Sequence, residues 1–275
     1  LKWIHELSEG SLVGYEKLGN GFLKYSKDGA LYLKPGGKEV WIESYEMSNP
    51  KTDNNGKYVI IFDVGGNDLE SYTKDGRVAT IGTDLPILKA VVSKTGIITI
   101  LVEDSNSTYI FFYNKEGEQL NISIKSKLAG DGFPTDIALS PDGTALMATF
   151  QYLKGSSMMG RVVFYDFSDI GQNMPNRVVG GFDEEFVSSM VARVKYLDKI
   201  NSVAIASDGL YFFSSKNIAS PKLVKTIKAE NDIEAVAFEG DRLCVVYKNT
   251  SEKFNHTLCI LSLIHISEPT RLLSI

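Results

Sequence analysis

The chain has 275 residues, of which 43% are hydrophobic, and it carries a formal net charge of -5 at pH 7. Lys and Arg do not accumulate in any segment, which argues against nucleic acid as a partner, because a nucleic-acid-binding surface needs clustered positive charge. The apolar runs all fall far short of the roughly 20 residues that a membrane-spanning helix requires. We therefore expect a folded protein with a sizeable core and no helical membrane span within these residues.

Turn dipeptides recur along the chain between apolar runs. They are Asp28-Gly29, Asp75-Gly76, Glu116-Gly117, Asp142-Gly143 and Asp208-Gly209. The flanking runs are rich in Tyr, Phe, Val and Ile, which fit a pleated, half-buried surface. This alternation predicts antiparallel strands joined by tight turns.

The predicted strands fall into six groups in chain order. The first two groups hold 22–26, 30–34 and 39–46, and then 58–62, 68–73 and 77–82. The third holds 88–92, 97–103, 108–113 and 119–124. The fourth spans 134–182, and within it a Gly/Ser-rich break separates the apolar runs 145–150 and 161–167. The fifth holds 192–196, 202–206, 210–214 and 223–227, and the sixth holds 233–238, 242–247 and 257–260.

The length of these groups favours one architecture. Each is about 35 to 50 residues long, which is typical of a four-stranded propeller blade. The sequence therefore predicts an all-β fold, a β-propeller of four-stranded antiparallel blades similar to WD40 and YVTN propellers, with about six blades visible. Two sandwich domains would also give short strands with regular turns, and they are the structural alternative. Short helical turns are expected only within 170–175 and 183–191.

The tail from Leu261 to Arg271 reads LSLIHISEPTR, which resembles the in-frame translation of a transposase sequencing adaptor. We therefore expect residues 1–260 to form the propeller-like domain and 261–275 to be a non-native tail. On this interpretation the propeller is incomplete at the C-terminus, and His265, Glu268 and Arg271 belong to no site. An ordinary C-terminal strand followed by a polar tail is the alternative.

The two cysteines, Cys244 and Cys259, lie on runs that look like the arms of one hairpin. Pairing Lys248 with Asn255 would place them opposite each other, so the pattern permits a cross-strand disulfide. Two buried free thiols are the favoured interpretation, because free Cys is commonly buried. Two cysteines are also too few for a zinc cluster.

The sequence contains no recognisable catalytic or cofactor motif, and we expect no cofactor or metal. A Ser-His-Asp arrangement would need His5 or His256, which both lie where surface or packing residues are expected. The pairs Gly36-Gly37, Gly65-Gly66 and Gly180-Gly181 open no predicted helix, so we interpret them as turns between strands rather than phosphate-binding loops. The alternating aromatics Tyr109, Phe111 and Tyr113 are expected to pack between blades.

One polar cluster is a speculative site. Glu103, Asp104 and Asn106 follow a long apolar strand, and Asp136 begins the fourth group. Carboxylate and amide oxygens could coordinate calcium or take part in acid–base chemistry. A polar hairpin turn, in which Asp and Asn side chains bond to their own backbone, is the favoured alternative. The stretch 53–56, DNNG, is likewise predicted to be a turn rather than a calcium loop.

Several separated motifs together resemble an uncharacterised bacterial family, a domain of unknown function of Gram-positive anaerobes. They are Tyr25 to Gly29, Ser44 to Pro50, Leu101 to Asn106, Thr135 to Ser140, and Ile170 to Asn173 with Val179 to Phe182. The resemblance implies a propeller held on the extracytoplasmic face of the bacterial cell membrane by one N-terminal helix, which would precede Leu1. It carries over no catalytic residue.

These observations predict a non-catalytic extracytoplasmic binding or scaffold module of the cell envelope. Its expected partner is a protein or a cell-envelope polymer, with membrane association only through a helix outside these residues. The alternative is a propeller hydrolase or lyase that acts on cell-wall or exported carbohydrate, with Glu103, Asp104 and Asp136 as its carboxylates. A third possibility is a module that only spaces or senses at the surface and has no ligand pocket.

Overall fold

A computed structural model describes residues 12–239, 242–249, 255–262 and 272–274. His5, His265, Glu268 and Arg271 lie outside the described residues. The chain divides into two compact units, residues 1–131 with 141–143 and residues 132–140 with 144–275. Within the described residues, each unit contains three antiparallel sheets of four strands, and each of these sheets is a meander in which successive strands are neighbours. No helix among the described residues is long and apolar enough to cross a membrane.

The first unit holds strands β1 to β12. The first sheet contains β1 (Leu12–Leu18), β2 (Gly21–Ser26), β3 (Gly29–Leu33) and β4 (Glu39–Ser44). The second contains β5 (Pro50–Asn54), β6 (Val59–Asp63), β7 (Asp68–Thr73) and β8 (Gly76–Gly82). The third contains β9 (Ile87–Val92), β10 (Ile98–Glu103), β11 (Ser107–Tyr113) and β12 (Gln119–Lys127).

The second unit holds strands β13 to β24. Its first sheet contains β13 (Phe133–Leu139), β14 (Ala145–Lys154), β15 (Ser157–Asp166) and β16 (Val178–Phe182). The next contains β17 (Val191–Tyr196), β18 (Asn201–Ala206), β19 (Gly209–Ser214) and β20 (Lys222–Lys228). The last contains β21 (Ile233–Glu239), β22 (Arg242–Lys248), β23 (His256–Ser262) and β24 (Leu272–Ser274).

The expected short helical turns in the second unit are confirmed. They are helix α1 (Asp169–Gln172) and the 3-10 turns Pro175–Arg177 and Glu184–Phe186. The last sheet takes β24 from the segment that the sequence assigns to a non-native tail, and β24 pairs with β23. The origin of that tail stays a prediction.

The all-β prediction is confirmed, and the strands that the sequence missed are weakly apolar or polar. β5 reads PKTDN and buries only Pro50. It is a strand because its backbone pairs with β6 from Pro50 opposite Asp63 to Asn54 opposite Val59. Pairing with an apolar neighbour therefore overrides the low strand propensity of these residues.

Two predicted turn regions differ from the structure. Gly180 and Gly181 lie inside β16, so the prediction of a turn there is wrong, whereas Gly36-Gly37 and Gly65-Gly66 do form turns. The Gly/Ser-rich stretch after β14 is a tight turn between Lys154 and Ser157, which pair with each other. This hairpin therefore has ten-residue strands, longer than those predicted.

The cores form where neighbouring sheets face each other. In the first unit, Leu23 and Tyr32 cluster with Val59 and Tyr72 of the second sheet. In the second unit, Phe164 clusters with residues of the sheet that contains β17.

The alternating aromatics of β11 pack between sheets, as the sequence predicts. Tyr109 and Phe111, whose rings stack 5.8 Å apart, lie against the core between the second and third sheets of the first unit. Tyr113 belongs to the same core.

Carboxylates on the first strands bridge consecutive sheets of the first unit. Glu16 on β1 accepts hydrogen bonds from the Thr52 hydroxyl at 2.6 Å and the Asn54 amide at 3.0 Å. Asp53 on β5 accepts one from the backbone N–H of Val92 on β9 at 2.8 Å. Each bridge joins the first strand of one sheet to the first strand of the next.

In the second unit, two adjacent residues of one first strand bond to the first strand of the next sheet. The buried carboxylate of Asp136 on β13 accepts a hydrogen bond from the backbone N–H of Val194 on β17 at 2.9 Å. The hydroxyl of Thr135 donates to the Val191 carbonyl of β17 at 2.9 Å. Thr135 and Asp136 therefore hold a donor and an acceptor of the same strand.

Replacement of Asp136 by Ala is expected to destabilise the second unit, because it leaves the buried Val194 N–H without this acceptor. The expected loss is about 1–3 kcal/mol in the free energy of unfolding, measured by urea denaturation. The matched control is Asp75→Ala, which removes an exposed carboxylate and should change stability by less than about 0.5 kcal/mol. Equal losses for the two variants would contradict a bridging role for Asp136.

The predicted register of the cysteine hairpin is wrong by one residue. Lys248 pairs with His256 rather than Asn255, so Cys259 lies opposite Val245. The loop closes through a hydrogen bond from the Asn249 N–H to the Asn255 carbonyl at 2.7 Å. A shift of one residue turns a side chain to the other face of the sheet. The thiols therefore do not face each other, and both are free.

Cys244 is expected to react faster than Cys259 with a thiol reagent in the native protein. Cys259 is buried, and burial, with a smaller contribution from Cys244, raises the pKa of the Cys259 thiol and lowers its thiolate fraction. The measurement is the rate of Ellman's reagent reaction for wild type, Cys244→Ser and Cys259→Ser without reductant. Absence of reactive thiols in the unfolded, unreduced wild type would instead indicate a disulfide.

Candidate functional site

The predicted polar cluster is split between the two units. Glu103 ends β10, and Asp104 and Asn106 lie in the turn before β11. Asp104 donates its N–H to the Ser107 carbonyl at 2.8 Å and accepts from the Ser105 N–H through Oδ1 at 2.7 Å. These residues form the hydrogen-bonded hairpin turn that the sequence favours.

Asp136 belongs to the second unit, where the residue is 4% exposed and its carboxylate accepts a hydrogen bond from β17. Among the described residues, no three His, Cys, Asp or Glu side chains are grouped so that they could hold a metal ion. The stretch 53–56 is divided between β5, which ends at Asn54, and a turn.

The most prominent surface feature of the second unit is apolar. Leu153 and Met158 pair across the tip of the β14–β15 hairpin and are 70% and 53% exposed. Val187 is 59% exposed and pairs with Met159 in an isolated bridge, and Met190 is 48% exposed. We name these four exposed residues, Leu153, Met158, Val187 and Met190, the hairpin patch. Its long hairpin carries apolar side chains beyond the part of the sheet that forms the core.

A cleft of about 600 Å³ shares Met190 with the hairpin patch. Among the residues that line it are Ile205, Ser207, Arg193 and Glu234. Glu234 is paired with His256, whose Nε2 lies 2.7 Å from Oε2 of the glutamate. The guanidinium of Arg193 lies over the Phe238 ring, 5.8 Å from its centroid. The cleft therefore combines apolar walls with a positioned cation.

A polar network supports one side of the cleft. Oδ1 of Asp208 accepts from the Ser189 hydroxyl at 2.6 Å, and Oδ2 accepts from the Tyr211 hydroxyl at 2.7 Å and the Lys228 ammonium at 2.5 Å. The Ser189 hydroxyl also lies 3.2 Å from that of Ser207, which lines the cleft. The sequence shows Asp208 only as a turn residue, because no spacing links it to a lysine 20 positions later.

These contacts perturb the ionisation of the network. Burial alone would raise the pKa of Asp208, but hydrogen bonds from Lys228, Ser189 and Tyr211 hold it below its ordinary range. Hydrogen bonds to Asp208 and Tyr211 raise the pKa of Lys228. Burial is the main cause of the raised pKa of Tyr211. The network thus combines a carboxylate with an ammonium.

The chemistry of this network is that of support rather than nucleophilic catalysis. The serine hydroxyl that donates to the Asp208 carboxylate is that of Ser189, which is 3% exposed. A nucleophile must reach its substrate and needs a base that can take its proton. The Asp208 carboxylate is instead held by the Lys228 ammonium, so the network fixes the loop before β17 and the turn after β18 at the cleft.

Comparisons with known proteins place the chain in a family and a fold. The profile of DUF5711, a family of unknown function, matches residues 1–263. Similar solved structures include a chain of hydrazine synthase from Kuenenia stuttgartiensis, with a TM-score of 0.58 and 12% identity over 92% of this chain and 78% of that one. Another is the Pan2 WD40 domain of Neurospora crassa, with a TM-score of 0.56 and 10% identity over 85% and 71%.

The Dos1 propeller is also similar, with a TM-score of 0.54 and 11% identity over 92% of this chain and 66% of that chain. No curated protein shows significant similarity. The chain therefore has the β-propeller fold of WD40-like, four-stranded antiparallel blades. At these identities the likeness establishes the fold and not an activity.

The Asp208 network is expected to make stability depend on pH. Because the folded pKa of Asp208 is lowered, its contribution is present above the unfolded pKa of about 3.9 and is lost as pH falls through the folded pKa. The stability difference between wild type and Asp208→Asn should therefore shrink on acidification. Asp208 is 38% exposed, so solvent screening limits the difference at neutral pH to about 1 kcal/mol. Urea unfolding across this pH range measures it, and a constant difference would contradict the assignment.

Proposed function

Because the chain belongs to the DUF5711 family of unknown function, we propose from its own surface that it is a non-catalytic binding or scaffold module that recognises a protein. The proposed setting is the extracytoplasmic face of a bacterial cell envelope, with tethering by an N-terminal helix outside these residues. The support for this setting is the family resemblance of the separated sequence motifs. The support for protein binding is the hairpin patch.

The hairpin patch has the composition of a docking surface. Isolated exposed apolar side chains are ordinary, but here Leu153 and Met158 pair across a hairpin tip, and the exposed Val187 is bridged to Met159, the next residue of the same strand. Burial of one such side chain contributes about 1.5–3 kcal/mol. Met158 and Met190 also adapt their shape to a partner, because methionine is unbranched and polarizable.

The cleft beside the hairpin patch supplies polar specificity. Arg193 is exposed and its guanidinium is positioned over Phe238, so it can donate hydrogen bonds to a carboxylate of the partner. The proposed partner segment therefore presents apolar side chains to the hairpin patch and an acidic side chain to Arg193. Arginine together with apolar anchors is the usual composition of the energetic centre of an interface.

The alternative of a carbohydrate hydrolase or lyase has weaker support. Its candidate carboxylates include Asp136, which is buried and accepts the Val194 N–H, and Asp104, which binds its own turn. Two-carboxylate sugar chemistry needs both groups exposed on either side of the scissile bond. Release of reducing sugar from peptidoglycan or exported polysaccharide by the purified chain would favour this alternative.

Replacement of the two hairpin-tip residues of the hairpin patch is expected to weaken partner capture. The double variant Leu153→Ser with Met158→Ser exposes no new core, and both side chains already lie in solvent, so it should keep the wild-type melting temperature. Captured protein from cross-linked envelope extract, quantified by mass spectrometry, should fall at least about tenfold, because the expected lost burial exceeds about 1.4 kcal/mol.

The matched control is Ile42→Ser on β4 of the first unit, where the side chain is 75% exposed. It removes an equally exposed apolar side chain outside the hairpin patch and should leave capture unchanged. Equal capture by the double variant and wild type, or equal loss in the control, would overturn the proposed surface. If the double variant loses capture but Arg193→Gln captures as much partner as wild type, only the proposed role of the cleft is overturned.

A further inference from the structure

A second, smaller cavity lies in the same unit but shares no residue with the cleft. Its volume is about 230 Å³, and its lining includes Phe164, Asp166, Val179, Tyr196, Ser215 and Lys216. Asp166 ends β15 and Ser215 follows β19, so the cavity lies between the sheet of β13–β16 and the sheet of β17–β20. This volume is below the roughly 300–1,000 Å³ of sites for drug-sized ligands, so it suits a molecule with few heavy atoms.

The two carboxylate oxygens of Asp166 differ in their hydrogen bonds. Its Oδ1 accepts from the Ser168 N–H at 3.1 Å, the Gly171 N–H at 3.0 Å and the Ser168 hydroxyl. Its Oδ2 is buried and has no hydrogen-bond partner among the described residues, and Asp166 is 1% exposed. A buried carboxylate oxygen without a donor is unfavourable, so this position calls for a donor from outside the protein.

The rest of the lining narrows the chemistry of that donor. The Ser215 hydroxyl is also buried and has no hydrogen-bond partner within the described part of the chain. Phe164 and Val179 provide apolar walls, and the exposed Lys216 adds a positive charge to the lining. A ligand that suits these groups has an ammonium for Asp166, a short apolar side chain for the walls and a carboxylate for Lys216.

We propose that this cavity binds a small zwitterion, an α-amino acid with a short apolar side chain. The ammonium donates to Oδ2 of Asp166, the side chain occupies the apolar walls, and the carboxylate faces Lys216. This site is independent of the hairpin patch, since the two share no residue. Its occupation would supply the donor that the fold leaves absent from Oδ2.

The test is isothermal titration of the full chain with L-valine and two matched analogues. Isobutylamine keeps the ammonium and the apolar group but lacks the carboxylate, and 3-methylbutanoate lacks the ammonium. We expect valine to bind, and each analogue to bind at least about tenfold more weakly, because each loses a charged hydrogen bond. No heat of binding with valine up to about 10 mM at two temperatures about 20 °C apart would overturn the proposal, because a binding enthalpy that vanishes at one temperature differs from zero at the other.

Single substitutions test the proposed contacts of valine with Asp166 and Lys216. Asp166→Asn keeps an oxygen for the donors around α1 but removes the charge, and it should weaken valine binding at least about tenfold. Lys216→Met should weaken valine binding and leave isobutylamine binding unchanged. Lys222→Met, which changes an exposed lysine on β20 outside the cavity, is the matched control and should bind valine as wild type does.

A second variant keeps the proposal testable if Asp166→Asn fails to fold. Ala145 lines the cavity and is partly buried, so Ala145→Leu fills the space without removing a polar contact. It should abolish valine binding while circular dichroism and the melting temperature stay near those of wild type. Unchanged valine affinity in Ala145→Leu, or in a folded Asp166→Asn, would overturn the assignment of valine to this cavity.

Discussion

The hydrogen bond from Val194 to Asp136 is the constraint on which the second unit depends, because it joins two sheets through their first strands. A first strand has only one neighbour within its own sheet, so part of its backbone needs partners from elsewhere. Thr135 supplies a donor and Asp136 an acceptor to β17 from adjacent positions. Glu16 and Asp53 make the corresponding contacts in the first unit. Short polar stretches thus determine how apolar sheets are placed.

The same constraint explains which parts of the fold the sequence predicts. Apolar strands such as β6 and β10 have a strong pattern because both faces are buried, and the turn dipeptides mark their ends. β5 is missed because its polar residues serve sheet-to-sheet contacts rather than a core. The register of β22 and β23 is missed because it depends on closure of the loop through Asn249, and a one-residue shift leaves the apolar pattern of each run unchanged.

The candidate sites were less accessible to prediction, since they join residues that are distant in sequence. Leu153 and Met158 lie in the stretch that the sequence assigns to a break between strands, whereas the structure pairs them near the tip of a long hairpin and exposes them. Asp208 looks like a turn residue, and only the sheet brings Lys228 to it. The sequence groups Asp136 with a speculative polar cluster, whereas the structure bonds its carboxylate to the Val194 N–H. Its contact with Val194 could not be foreseen, because a buried carboxylate looks the same in sequence whether it binds backbone or a ligand.

Three carboxylates of the second unit differ in the hydrogen bonds that they accept. Asp136 accepts a backbone N–H through Oδ2, and Asp208 has donors on both oxygens. Asp166 has three donors on Oδ1 and no partner on Oδ2 within the described residues. Charge and burial alone would rank Asp136 and Asp166 together as structural. Asp166 differs from Asp136 because it lines a cavity together with Ser215, and neither Oδ2 of Asp166 nor the Ser215 hydroxyl has a hydrogen-bond partner within the described residues. We therefore assign Asp136 to the fold and Asp166 to the proposed ligand site.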